Sequence, residues 1–181
     1  TTKIDVDVIQ HFVDEKKIQE TQEYHNVAFC GYDENSEMKQ MHLRSTIPGS
    51  RFFQDVEGSD KQYYFRHDGV DNKVYVFESP IDMLSYITLH KENWQQHSYV
   101  CLGGVAMDAL NNILKNHPQI DTVYLCVDND IAGDKAVKRI GEKLTEKNIQ
   151  WQRLLPENKD WNEDLVELRG WGQSQNFDLS M

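Results

Sequence analysis

The chain has 181 residues, 39% hydrophobic and 10% aromatic, enough apolar mass for one or two cored domains. Its formal charge of −11 is awkward for a protein that grips polyphosphate through Lys and Arg, unless its carboxylates gather around cations that reverse the local sign. No run approaches the roughly 18 apolar residues of a membrane span, and Thr1-Thr2-Lys3-Ile4-Asp5 offers no apolar signal core. A cytoplasmic protein is expected. A start without methionine reads as an excised fragment or a processed product. Cys30, Cys101 and Cys126 are widely spaced, the last two inside apolar runs, so buried thiols are expected rather than disulfides. Without a CxxC pair, a structural zinc site is not expected.

In chain order, residues 6–18 offer Ile9, Phe12 and Val13 at helical spacing. Short strands are predicted around 27–32, 39–44 and 62–65, between polar or glycine-containing turns. Residues 1–70 thus read as a small α+β module. Arg44, Arg51, Lys61 and Arg66 interleave there with Phe52, Phe53, Tyr63, Tyr64 and Phe65. That mixture suits a stacking groove for single strands, although aromatic burial favours plain core. Asp68-Gly69-Val70-Asp71-Asn72 forms a turn cluster that divides the chain.

Beyond it, strand and helix alternate. Val74-Tyr75-Val76-Phe77 is an apolar run suited to a strand covered on both faces. Ser79-Pro80 suits a helix start, continued by Ile81, Leu84 and Ile87 to about residue 90. A strand at 98–102 is followed by Gly103-Gly104 and a helix with Val105, Ala109, Leu110, Ile113 and Leu114 on its apolar face. A strand at 122–127 precedes a long helix with Ala132, Ala136, Val137, Ile140 and Leu144 inside and Lys135, Lys138, Arg139, Lys143 and Lys147 outside. A last strand spans 150–155, closed by Pro156. The alternation predicts right-handed crossovers and a four-stranded parallel sheet between helices, an α/β domain over residues 71–170. Residues after Leu168 read as loosely ordered, with 171–181 a tail. His90, His97 and His117 lack ligand spacing and suit the surface; Trp151 and Trp161 suit packing.

Ligands of open α/β sheets bind at the carboxyl ends of the strands. Acids collect there. Glu78 follows the first strand of the second half, and Asp82 stands one helical turn on. Asp128 and Asp130 follow the third, two apart, so both can aim at one ion while Asn129 turns away. Lys159-Asp160-Trp161-Asn162-Glu163-Asp164 supplies further oxygens after the fourth. Such residues also serve simply as helix caps and first-turn acids. Glu78 together with Asp128-x-Asp130 goes beyond capping, and an oxygen-only set without His or Cys selects Mg²⁺ or Mn²⁺.

These motifs carry a family resemblance. Val74-Tyr75-Val76-Phe77-Glu78-Ser79-Pro80-Ile81-Asp82 resembles the first Toprim motif, and Asp128-Asn129-Asp130-Ile131-Ala132-Gly133-Asp134-Lys135-Ala136 the second. Leu102-Gly103-Gly104 is similar to the glycine turn of bacterial primases, and Lys159-Asp160-Trp161-Asn162 to the late acidic motif. Two departures stand out: Asn162 replaces the second late acid, and Ser79-Pro80 the glycine after Glu. The likeness spans about residues 73–168. The first half, through Arg44-Ser45-Thr46 and Glu57-Gly58-Ser59-Asp60-Lys61, resembles a module preceding Toprim in proteins of plasmids and conjugative elements, which often carry an N-terminal zinc finger.

The resemblance implies a Rossmann-like Toprim fold that uses Mg²⁺ (or Mn²⁺), DNA or RNA, and nucleotides. It implies Glu78 as general acid/base and Asp128 and Asp130 as metal ligands. Asp82 and Asp160 join as further candidate ligands. Gly103, Gly104 and Gly133, with Lys135 and Lys61, are candidates for phosphate contact, although Gly133 equally suits tight helix–sheet packing. Primase-like nucleotidyl transfer is the leading expectation. A Toprim nuclease and a non-catalytic DNA-processing module are the alternatives.

Overall fold

The computed structural model describes residues 2–104 and 106–175, with side chains as far as Gly170. Helix α1 (Val6–Asp14) buries Val8 and Phe12 and leaves Val13 exposed. It is followed by an antiparallel sheet of β1 (Ile18–Glu20), β2 (Val27–Tyr32), β3 (Met38–Arg44) and β4 (Phe53–Asp55), paired in that order. Strand β2 buries Ala28, Phe29, Cys30 and Gly31 in succession. At Gly31 the pairing register shifts, and a Cβ there would meet the Tyr63 carbonyl oxygen at 1.6 Å. The chain at Lys61–Tyr63 therefore packs directly on β2.

The strand expected at 62–65 does not form. Asp60 instead accepts a hydrogen bond from the Gln62 amide and starts a 3-10 turn over Lys61–Tyr63. Tyr64 and Phe65 are buried beyond it, so their apolar character reflects core packing. Only Arg66–His67 becomes a strand, β5, and it runs antiparallel to a strand of the second sheet.

That second sheet contains β6 (Lys73–Phe77), β7 (Ser98–Cys101), β8 (Thr122–Leu125) and β9 (Gln150–Arg153), all parallel as the alternation predicts. Its full order is β5-β7-β6-β8-β9. Helices α2 (Pro80–Leu89), α3 (Asp108–Asn116), α4 (Ile131–Glu146) and α5 (Trp161–Gln175) complete the fold. Val105, expected on the apolar face before α3, lies outside the described residues. Helix α5 runs past Leu168, where a loose tail was expected; residues 176–181 lie outside the described part.

The strand order decides where a site can form. From β6 the chain leaves through α2 toward β7 on one side, and from β8 through α4 toward β9 on the other. Strands β6 and β8 are neighbours, with Val76 opposite Leu125. Diverging connections from adjacent strands open a crevice at their carboxyl ends, the switch point of an open α/β sheet.

One hydrophobic core joins both sheets. It includes Val8, Phe12, Phe29 and Phe65 from the first part and Trp94, Tyr99 and Val100 from the second. Phe12 stacks on Trp94 at 5.8 Å and tilts against Phe65 at 5.1 Å. Across the parallel sheet Tyr124, Tyr75 and Tyr99 stack in a row at 4.7 and 5.3 Å. Cys30, Cys101 and Cys126 are free and buried, as expected. Among the described residues no helix is long and apolar enough to cross a membrane.

Phe12→Ala tests this shared core. Truncating a fully buried ring should cost about 3–5 kcal/mol. Because Phe12 belongs to the core of both parts, denaturant unfolding followed by fluorescence and by circular dichroism should shift as one transition. Separate transitions for the two sheets would contradict a common core.

Candidate active site

Glu78 stands directly after β6, at the switch point. Ser79 next to it caps α2, its Oγ accepting from the Asp82 amide, and Pro80 fills the first turn, where a missing N–H costs nothing. The Ser79 hydroxyl also donates to Asp82 Oδ2 at 2.5 Å. Asp82 is 8% exposed, held under the crevice by this local cap.

From the neighbouring strand, Asp128 enters after the buried Cys126 and Val127. Its main chain is pinned from two directions. A Cβ on Gly133 would lie 2.0 Å from the Asp128 carbonyl oxygen, so only glycine lets α4 approach this closely. Arg153, at the end of β9, donates to the same carbonyl at 3.3 Å and to Asp134 Oδ1 at 2.5 Å. Asp130 caps α4, its Oδ1 accepting from the Ala132 and Gly133 amides at 2.9 Å each. Asn129 does turn away: its amide N–H donates to the Lys159 carbonyl at 2.8 Å and its side chain reaches toward the Asn158 carbonyl. That tie brings Asp160 alongside Asp128. Asp160 Oδ1 accepts from the Glu163 amide at 2.8 Å, starting α5, and Trp161 Nε1 donates to the Cys126 carbonyl at 2.8 Å.

The crevice is a cleft of about 440 Å³. One wall carries Glu78, Asp82, Gly103, Gly104 and Asp128; the other carries His42, Arg44, Phe53, Asp55, Lys61 and Tyr64 from the first part of the chain. Asp55 accepts from His42 Nδ1 at 2.9 Å and from the Tyr64 hydroxyl at 3.3 Å. The Tyr64 ring lies where a Cβ on Gly103 would fall, and Gly103 adopts φ +60°. Gly104, at φ +115°, has nothing within 4 Å of its Cβ position, while its N–H donates to the Glu78 carbonyl at 3.4 Å. A wider hollow of about 730 Å³ along α2 and α5, walled by Leu89, Leu155 and Leu168, holds none of the strand-end acids Glu78, Asp128 or Asp130.

Of the candidate residues, the cleft collects Glu78, Asp82, Asp128, Gly103, Gly104 and Lys61. Asp130 and Asp160 sit beside it as helix caps. Gly133 acts in packing, with its amide already donated to Asp130. Lys135 is exposed on α4, away from the cleft lining. Asn162, in place of a second late acid, donates to Ser85 Oγ at 2.9 Å and to the Thr2 carbonyl at 2.7 Å. The aromatic stretch divides: Tyr64 and Phe65 are core, whereas Phe52 and Phe53 are exposed and Phe53 lines the cleft. Sequence reasoning passed over His42, Asp55, Arg153 and Lys159. A cation at the carboxyl end of a predicted strand was a usable signal for Arg153.

The acids disturb one another. Burial, reinforced by the charges of Asp128 and Asp130, pushes the Glu78 carboxyl up to about 7. Burial and the nearby Asp160 raise Asp128 to about 6, with the Lys159 ammonium opposing. Burial also raises Asp82 to about 7, with Asp160 and Asp128 contributing. Glu78 Oε1 and Asp128 Oδ1 are buried without a hydrogen-bond donor. Two orphaned carboxylate oxygens suit a hard divalent cation such as Mg²⁺ or Mn²⁺, although among the described residues no three of these strand-end carboxylates lie within 4.8 Å of one another.

These shifts have a measurable sign. A carboxyl whose folded pKa is raised costs the folded state nothing below its unfolded value near 4. The cost grows as pH climbs toward the folded value and is complete above it. For Asp128 the window runs from about 4 to about 6. In chelator, Asp128→Asn should therefore match wild type near pH 4.5 and melt about 2–4 °C higher at pH 8. A variant no more stable at pH 8 than at pH 4.5 would refute this electrostatic picture. Gly133→Ala should destabilise at every pH, because the clash at the Asp128 carbonyl does not titrate; a pH-dependent loss in melting scans would count against it.

Residues 75–165 match the Toprim-like family, and residues 1–71 match a family described as a protein of unknown function, DUF3991. A curated relative, the Bacillus anthracis protein pXO2-78, is 32% identical over 112 aligned residues, taking in 54% of this chain and 33% of the relative. The chain thus spans about a third of that protein's length. Among solved structures, the primase fragment of the bacteriophage T7 primase-helicase aligns over 97% of this chain and 71% of its own, at TM-score 0.63 and 19% identity. The E. coli primase catalytic core aligns over 89% of this chain and 56% of its own (TM-score 0.57, 15% identity). A DnaG primase catalytic domain bound to single-stranded DNA aligns over 95% and 58% (TM-score 0.58, 14% identity). At these identities the structural likeness is one of fold, and with the family match it makes the chain a member of the Toprim-like family.

Proposed function

We propose that this chain carries the catalytic part of a primase-like nucleotidyltransferase, serving the replication or transfer of a mobile element. The observation that carries the reading is the pair of donorless carboxylate oxygens, on Glu78 and Asp128, at the switch point between β6 and β8. The T7, E. coli and DnaG structures are primases of the same fold, and the Bacillus anthracis relative carries a pXO2 designation.

In this reading Asp128 and Asp130, with Asp82 and Asp160 beside them, hold Mg²⁺ or Mn²⁺. The ion's contribution, when bound, is neutralisation of charge on the reacting phosphate and its leaving group. Glu78 takes the proton of the attacking 3′-hydroxyl; a carboxyl raised to about 7 is poised to accept and release it near neutral pH. Asp82 is held by Ser79 in a fixed orientation, so its charge stays directed at the cluster. The missing side chain at Gly104 leaves room for a phosphate beside the turn. Arg44 and Lys61, on the opposite wall, offset the acidic lining toward a polyanionic template or nucleotide, and exposed Phe53 offers a base a stacking face. Lys135 stands too far along α4 for this role and is better assigned to the general surface field.

The test is primer synthesis by the intact protein containing this chain, on single-stranded DNA with labelled nucleotides and Mg²⁺ or Mn²⁺. Template-dependent product should appear and fall by about 100-fold or more in Glu78→Gln. Metal-dependent nicking of DNA without nucleotides would replace the reading with a nuclease, since the same carboxylates can activate water. Neither activity would leave a DNA-processing accessory module.

A further inference from the structure

On the far side of the first part of the chain, three side chains converge that the cleft does not use. His11 lies in the last turn of α1 and Glu15 immediately follows that helix, so the spacing of four puts both on one face. His67 comes from β5, the short antiparallel strand that joins the first part of the chain to the parallel sheet. His11 Nε2, Glu15 and His67 each present one ligand atom, and these atoms all lie within 4.8 Å of one another. Among the described residues no other three His, Cys, Asp or Glu side chains come so close.

Ordinary hydrogen bonding does not account for the cluster. His11 Nε2 approaches Glu15 Oε1 to 3.3 Å, yet at an angle that makes no hydrogen bond. Both His11 Nε2 and His67 Nδ1 are buried nitrogens without a hydrogen-bond partner. His67 is 6% exposed. Its other nitrogen, Nε2, lies 3.1 Å from the Gln95 carbonyl, which can only accept. The proton is therefore on Nε2, and Nδ1 aims a lone pair into the space shared with His11. The Gln95 side-chain Nε2 faces His11 Nδ1 at 3.4 Å; with the amide turned so that its oxygen stands there, it accepts the Nδ1 proton and frees Nε2 as a ligand. The Gln95 carbonyl sets the tautomer of His67, as second partners of metal-bound histidines do. Lys17 Nζ holds Glu15 Oε2 at 2.8 Å, leaving Oε1 for the cluster. The Trp94 ring, 4.8 Å from His11 and 5.0 Å from His67, walls the space with apolar surface.

We infer that His11, Glu15 and His67 form a second metal site, for a borderline transition ion of the Zn²⁺ type. Two imidazole nitrogens and one carboxylate suit Zn²⁺ and disfavour Mg²⁺, so this site and the acidic cleft differ in the ion they take. Its place ties the end of α1 to β5, the edge strand of the second sheet, and all three ligands lie within the DUF3991-matching stretch. None of its three residues lines the cleft, and it stands independently of the phosphodiester chemistry proposed there.

Calorimetric titration of the metal-stripped full chain with ZnCl₂, in excess Mg²⁺ to fill oxygen-only sites, reads the site directly. One Zn²⁺ per chain should bind in the micromolar range or tighter, with a rise in melting temperature. Co²⁺ in its place should give visible absorption bands of a low-coordinate N/O site. His11→Gln and Glu15→Gln, both on partly exposed side chains and so tolerated by the fold, should each weaken binding about tenfold or more. Asp128→Asn should leave it unchanged. Absence of Zn²⁺ uptake, or variants that bind as tightly as wild type, would overturn the site and leave a partly exposed His11–Glu15 pair.

Discussion

Carboxylates brought together out of water repel one another, and the chain assembles several at one spot. Glu78, Asp82 and Asp128 all have raised pKa values for that reason, with burial the larger cause in each. The Ser79 hydroxyl and the Lys159 ammonium offset only part of the penalty. The carboxyls are pushed toward their neutral forms, yet they are kept close by structure built elsewhere. Strands β6 and β8 set the spacing, the Ser79 and Asp130 caps set the angles, and Gly133 and Arg153 fix the Asp128 main chain. The fold can be read outward from this one unfavourable arrangement.

The scaffold was legible in the sequence where pattern alone decides structure. Apolar runs such as Val74-Tyr75-Val76-Phe77, each followed by a helical period, could hardly form anything but a parallel sheet. The acids at the strand ends were legible for the same reason, since a strand's end fixes where the next side chain stands. Tyr64 and Phe65 were not, because an aromatic run reads alike as strand and as loop packed into a core. β5 is two residues long, below any periodic signal, and its partner β7 is distant in sequence. Arg153 and Lys159 act through neighbours that only the folded chain supplies. His11, Glu15 and His67 meet for the same reason: helix spacing joins the first two, but only the edge strand brings in the third.

The departures from the family pattern have physical explanations. Asn162 lacks the charge of a second late acid, but its amide ties the start of α5 to Ser85 on α2, a neutral brace beside an already crowded set of anions. Ser79-Pro80 replaces a flexible residue with a cap that also hydrogen-bonds Asp82. Both changes trade charge or freedom for rigidity.

Tyr64 joins the two walls of the cleft, its hydroxyl on Asp55 and its ring seated against Gly103. Asp55 in turn is gripped by His42 and reached by Lys61. The ring is thus seated against both walls, and a displacement of the Asp55 side would press it directly on the glycine turn.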